Sequence, residues 1–253
     1  KRFKGMGECR CPGFGSLSNQ HRGQYGLIAT RHCRESTMSS FTNYLKRESS
    51  EGVTNPWYEW DKDFDASEES PAIRRRQLAR YLSMRKGARF LLLGEALGFQ
   101  GGRFTGIAMT SERIILGKLA DRGILPRHVL GETPGVRTSR TDAKPDGYTE
   151  PTASIVWPQV IDSRIDTSDI IFWNAFPWHP YDPRGGPLTN RKPSRQEVEE
   201  GGRVLDVLLR QHSIATVIAM GKTAKGILEE AGIPATEVRH PARGGATEFR
   251  RQF

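Results

Sequence analysis

The stretch Phe90-Leu91-Leu92-Leu93-Gly94-Glu95-Ala96-Leu97-Gly98-Phe99 limits what this chain can fold into more than any other. Its four leading apolar residues show no alternation, so both faces of the segment must be covered, as in a buried strand of a parallel sheet. The run stops at Gly-Glu-Ala-x-Gly, which presents a carboxylate and open backbone amides where such a strand leaves the sheet. Ligands of open α/β sheets bind at the carboxyl ends of the strands. Two further junctions have this form. Ile170-Ile171-Phe172-Trp173 runs into Asn174-Ala175-Phe176-Pro177-Trp178-His179-Pro180, and a short strand over 236–239 runs into His240-Pro241-Ala242-Arg243-Gly244-Gly245.

The intervening segments read as helices and loops. Ser70-Pro71 marks a helix start, with Ser as N-cap and Pro at the first helical position. The helix runs towards Tyr81 on an inward stripe of Ile73, Leu78, Tyr81 and Leu82, and Arg74, Arg75, Arg76 and Arg80 read as its solvated face. Residues 107–120 read as a helix. Residues 126–152 are polar, rich in Pro and Gly and aperiodic, which suggests a long surface excursion. Ser194-x-x-Glu197 is a capping box opening a helix that faces Val198, Leu205, Leu208 and Leu209 inward, despite Gly201-Gly202. A third strand over 215–220 passes through Gly221 into a helix over 223–230, closed by Gly232 and Pro234. Strands alternating with helices predict an α/β fold, a three-layer α/β/α arrangement around a central four-stranded, mostly parallel sheet.

Residues 1–40, rich in Gly, Arg, Ser and Cys and without period, are expected to be a flexible N-terminal arm before a domain over 41–253. Met38 is a plausible start. Trp57-Tyr58-Glu59-Trp60 reads as packing of the segment that enters this domain, with an external aromatic clamp as the alternative. The chain carries 38 Lys and Arg against 29 Asp and Glu, a net charge of +9. That excess favours an acidic partner, and nucleic acid is the commonest. No apolar run approaches the roughly 18 residues of a membrane span, and no apolar segment marks a secretory signal. A cytoplasmic, nucleoid-associated location is expected, with no membrane partner. Cys9, Cys11 and Cys33 fall one short of a four-thiolate site, and zinc would need His21 or His32 to complete it. Free thiols, no metal and no cofactor are expected.

Several chemistries are excluded by spacing. Gly221-Lys222-Thr223 follows a strand, but position 216 is Thr where a phosphate loop needs Gly. Gly94-x-x-x-Gly98 is not a dinucleotide fingerprint, and neither G-x-S-x-G nor H-E-x-x-H occurs. Glu95, Asn174 and His240 remain, one polar group at each of three strand ends that a single rim can assemble.

Gly94-Glu95-Ala96-Leu97-Gly98, followed by Thr105-Gly106-Ile107-Ala108-Met109-Thr110-Ser111-Glu112, resembles motif A of the uracil-DNA glycosylase superfamily. It is nearest the branch that carries G-E-A-P-G and then T-G-x-P-F. Asn174 resembles that family's uracil-reading Asn, and His240-Pro241-Ala242-Arg243 resembles its H-P-S or H-P-A motif. The resemblance spans residues 88–250. It implies a DNA repair glycosylase that flips uracil from DNA and hydrolyses its glycosidic bond, leaving an abasic site.

The resemblance also implies roles. Gly94, Ala96 and Gly98 would meet the base through backbone. Asn174 would donate to uracil O4 and accept from N3–H, a pattern that cytosine reverses. His240 would hydrogen-bond O2, where charge develops as the bond breaks. Glu95 would orient water or stabilise the sugar cation. Phe99 would stack on the base, because Met109 occupies the place of the branch's stacking Phe and offers a softer wall. Arg239, Arg243 and Arg250, with Arg251, would face phosphates.

Three departures follow. Leu97 in place of Pro implies a looser turn. Ala96 leaves the water-activating group unassigned. The branch's four cluster-binding cysteines are missing, which implies that its iron–sulfur cluster is missing too. Lys222 has no visible neighbour to depress its pKa for Schiff-base chemistry, so a metal-free, monofunctional, hydrolytic enzyme acting as a monomer is expected. The alternatives are a glycosylase for hypoxanthine or xanthine, and a DNA- or base-binding protein without turnover.

Overall fold

The computed structural model describes residues 41–253. The expectations for the N-terminal arm, for Cys9, Cys11 and Cys33 with His21 and His32, and for Met38 lie outside the described residues. The strands are β1 (Val53–Thr54), β2 (Phe90–Ala96), β3 (Ile170–Phe176), β4 (His179–Pro180), β5 (Thr216–Met220) and β6 (Thr236–Val238). The α-helices are α1 (Ser70–Ser83), α2 (Gly102–Thr105), α3 (Glu112–Ile115), α4 (Arg127–Leu130), α5 (Ala153–Asp162), α6 (Arg195–Gln211), α7 (Lys222–Glu230) and α8 (Ala246–Gln252).

Four strands form a sheet in the order β3-β2-β5-β6, each pair parallel. β2 pairs on both sides and β3 is buried along its whole length, which is why both carry unbroken apolar runs. Helices flank the sheet, α6 against β3 and α7 against β5 and β2. The α/β/α arrangement is thus the one that the alternation of elements predicts. The capping box of α6 is formed in both directions, Glu197 N–H to Ser194 Oγ at 3.3 Å and Ser194 N–H to a Glu197 carboxylate oxygen at 2.7 Å. Gly201 explains itself by position. A methyl group there would sit 2.0 Å from the Ala175 carbonyl oxygen, so only glycine lets α6 lie this close to β3.

Several sequence expectations change. β2 and β3 run on to Ala96 and Phe176, so Glu95 and Asn174 belong to the strands rather than to the loops after them. Ser70 is not the N-cap of α1. It lies inside the first turn, after Glu69, and its hydroxyl donates to Thr138 O at 3.1 Å. Residues 107–120 do not form one helix. Met109 has φ +49°, and helix resumes only over the single turn of α3 and a 3-10 turn at Ala120–Arg122. The cause is local competition for backbone groups. The Thr105 hydroxyl accepts from Ile107 N–H at 3.1 Å and lies 2.8 Å from Thr110 O.

Arg74 is no solvated residue. It is 2% exposed and forms a bidentate pair with Asp65, at 2.7 and 2.8 Å. Residues 126–152 are not a plain surface excursion either. Val129, Leu130, Thr138 and Ser139 are buried. The carboxylate of buried Glu112 accepts from the Thr138 and Ser139 N–H groups, each at 2.9 Å, and from Tyr148 N–H at 3.3 Å. α5, absent from the sequence reading, then leads into β3 with Pro158 inside it. Trp57 is core, stacked on Trp173 at 6.4 Å, whereas Trp60 is 46% exposed. The segment entering the domain therefore packs through Trp57.

Candidate active site

The carboxyl ends of β2, β3, β5 and β6 open into a cavity of about 590 Å³. Residues 94–100, Met109, 150–152, Asn174, 190–192, Met220, Thr223, His240, Ala242 and Arg243 line it. Glu95, Asn174 and His240, read as one rim from the sequence, thus share one cavity. So do the expected base contacts Gly94, Ala96, Gly98, Phe99 and Met109. Of the four expected phosphate contacts, Arg243 lines the cavity, and Arg251 on α8 is exposed outside it. Arg239 and Arg250 are exposed and lie outside its lining, Arg239 just after β6 and Arg250 on α8.

The floor is built on an empty position. Gly94 and Asn174 are register partners on β2 and β3. A methyl group at Gly94 would fall 2.6 Å from Asn174 Oδ1 and 2.9 Å from Met109 Cε. Bare backbone therefore lets the carboxamide and the thioether converge. Asn174 is 4% exposed and lines the cavity, and its carboxamide makes no hydrogen bond to another described residue. Met109 reaches its place from a left-handed backbone. Trp157 Nε1 donates to its carbonyl at 3.1 Å and helps to hold that conformation, which costs of order 1–3 kcal/mol in a non-glycine residue.

His240 is set as a neutral donor. Ala242 N–H donates to its Nδ1 at 3.0 Å, which leaves the ring proton on Nε2. Burial, and then the cations Arg239 and Arg243, hold the imidazole below its usual pKa and favour that neutral form.

The loop after β2 is anchored rather than loose. Leu97 is buried against Gly102, and its carbonyl oxygen lies 2.9 Å from His179 Nδ1. The side chain and the carbonyl fix the turn that Pro was expected to stiffen. Phe99 N–H donates to Asn190 Oδ1 at 3.2 Å. His179 Nε2 lies 3.0 Å from Pro187 O, so this ring stands between two loops. Its burial pulls the pKa down to about 4, aided by Arg103 and Arg191 and opposed by the two carbonyls.

Sequence reasoning missed Glu150, Asn190, Arg191, Lys192 and Thr223 as cavity residues. Glu150 sits in the aperiodic stretch that carried no strand-end signal. Residues 190–192 follow β4, a strand of two residues that leaves no pattern. Arg191 is occupied by Glu197, through two contacts of 2.7 Å. No cluster of three or more His, Cys, Asp or Glu suited to a metal occurs among the described residues.

No protein-family model matches the chain, and no curated protein sequence matches it. Among solved structures, the crystal structure of wild-type SMUG2 from Pedobacter heparinus is similar, with a TM-score of 0.51 and 12% sequence identity. The match covers 85% of this chain and 94% of that one. At this identity the likeness defines a shared α/β architecture.

Proposed function

We propose that this protein is a DNA glycosylase that hydrolyses the N-glycosidic bond of uracil flipped out of DNA. The observation that carries this reading is the pairing of an Asn174 carboxamide that bonds no other described residue with an Nε2-protonated, neutral His240 in one cavity. The carboxamide matches the O4 and N3–H edge of uracil, and a base with the reversed pattern leaves buried groups unpaired. As the C1′–N1 bond breaks, its electron pair moves into the ring and towards O2. A neutral imidazole N–H stabilises that oxygen without first having to lose a charge. Water completes the reaction at C1′ and leaves an abasic site. Glu95 is half-buried at the cavity, and in this reading it supports the developing cation. Phe99 and Met109 supply the walls for the ring, and Arg243 and Lys192 the cations for flanking phosphates. The likeness in fold to SMUG2, of the superfamily that the motifs resemble, supports the reading.

The test is release of base from single- and double-stranded oligonucleotides carrying one deoxyuridine, scored as alkali-labile strand breaks. Asn174→Ala and His240→Ala are each expected to slow release by about 10²–10³-fold. Release from hypoxanthine or xanthine alone would reassign the base, and binding without any abasic product would remove the enzyme reading.

A further inference from the structure

Glu150 is a carboxyl group in an unusual place. As a residue it is half-buried at the cavity, but its Oε2 is sealed from solvent and has no hydrogen-bond partner among the described residues. The sealing comes from glycine. A methyl group at Gly101 would overlap Oε2 at 1.6 Å, so the loop after β2 closes over this oxygen only because position 101 has no side chain. Oε1 lies 3.9 Å from the position a methyl group would take at Gly98, on the cavity side, and also makes no hydrogen bond to a described residue.

A carboxylate held this way would bury a charge without a partner, which is far costlier than burying the neutral acid. The charged and titratable groups around it do not change this. Glu95 faces the cavity from β2, Arg191 and Lys192 from the loop after β4, and His240 and Arg243 from the loop after β6. Arg113 on α3 and Tyr148 line the adjoining surface next to Thr149. None supplies a compensating charge, and burial alone pushes the Glu150 carboxyl up to about 8. A neutral carboxyl is a donor as well as an acceptor. Among the described residues nothing accepts from it, and the cavity is its open side.

We infer that Glu150 is a further ligand-contacting residue of this site, a protonated carboxyl that donates a hydrogen bond from Oε1 to a carbonyl oxygen of the bound base. This rests on the glycosylase reading and deepens it. Two carboxyls at one cavity then have separate tasks, because one stands open and the other is covered. Glu95 supports the sugar and Glu150 is the neutral donor to the base. The donor adds a third polar contact to those of Asn174 and His240, and it selects for bases with an exocyclic oxygen.

The experiment is single-turnover base release from a deoxyuridine oligonucleotide between pH 6 and 10, with the wild type, Glu150→Gln and Glu150→Ala, each checked for folding by circular dichroism. The carboxamide of Glu150→Gln keeps a donor and cannot ionise. It is expected to release base within about threefold of the wild-type rate at pH 7. It should also lack the alkaline fall expected of the wild type above about pH 8. Any fall shared by both proteins belongs to other groups. Glu150→Ala, if folded, is expected to be at least about tenfold slower at pH 7. The inference is overturned if Glu150→Gln keeps the full wild-type pH profile, or if it is folded and as slow as Glu150→Ala, which would make the residue a base. It is also overturned if Glu150→Ala releases base at the wild-type rate. A wild type that releases no base overturns the glycosylase reading itself, and the inference with it.

Discussion

Gly94 shows how a single missing side chain sets a site. Gly94→Ala places a methyl group 2.6 Å from Asn174 Oδ1 and 2.9 Å from Met109 Cε, so both must move. We expect a loss of about 1–3 kcal/mol in chemical denaturation, together with loss of base release. Asn174→Ala should behave differently. Its carboxamide has no described protein partner, so stability should stay within about 1 kcal/mol while release collapses. Glu150 adds a pH term. Its folded pKa, about 8, lies above the unfolded value of 4.5, so the stability it contributes is present below pH 4.5 and is lost as pH rises to about 8. Thermal melts should therefore show Glu150→Gln level with the wild type near pH 4 and more stable at pH 9. The limiting slope between is about 1.4 kcal/mol per pH unit. At this scale the sequence was legible where a polar residue ends an apolar run, as at Glu95, Asn174 and His240. Glu150 was not, because its character comes from a glycine far away in sequence and from a cover that no local pattern encodes.

Among the elements, the long apolar runs of β2 and β3, the capping box of α6 and the parallel order were all open to inference. Each follows from a repeating local rule. The region from 105 to 152 was not, because its order comes from isolated buried polar groups. Glu112 ties Thr138, Ser139 and Tyr148 by their backbone N–H groups, and Arg74 ties Asp65 to α1. An arginine in a run of three looks solvated until the partner that buries it is known. Asp65→Ala leaves the Arg74 charge buried and unpaired and should cost about 3–5 kcal/mol in urea unfolding, whereas replacing both partners with apolar residues should cost much less. Glu112→Ala should release its segment locally. Faster amide exchange at Thr138, Ser139 and Tyr148, with exchange in β2 and β3 unchanged, is the expected pattern.

For the whole molecule, the net charge of +9 should make DNA binding strongly salt-dependent. Replacing Lys192 and Arg243 together by alanine should reduce the slope of log affinity against log salt by about two, with little change in base preference. Cationic character was readable from composition, but the placing of Lys192 beside the cavity was not, since it depends on how a loop returns after β4. The parallel pairing of β2 with β3 has a last consequence. Because Gly94 and Asn174 are register partners, the backbone of the bare floor and the backbone that carries the carboxamide stand one inter-strand spacing apart, about 4.8 Å. That gap is a fixed gauge. It cannot widen without sliding a strand, and a slip of one residue would turn the whole of β3 inside out. On the glycosylase reading, a change in the size of the accepted base must therefore be taken up by side chains that line the cavity without tying the strands, Met109 and Phe99, and these are the positions at which to retune selectivity.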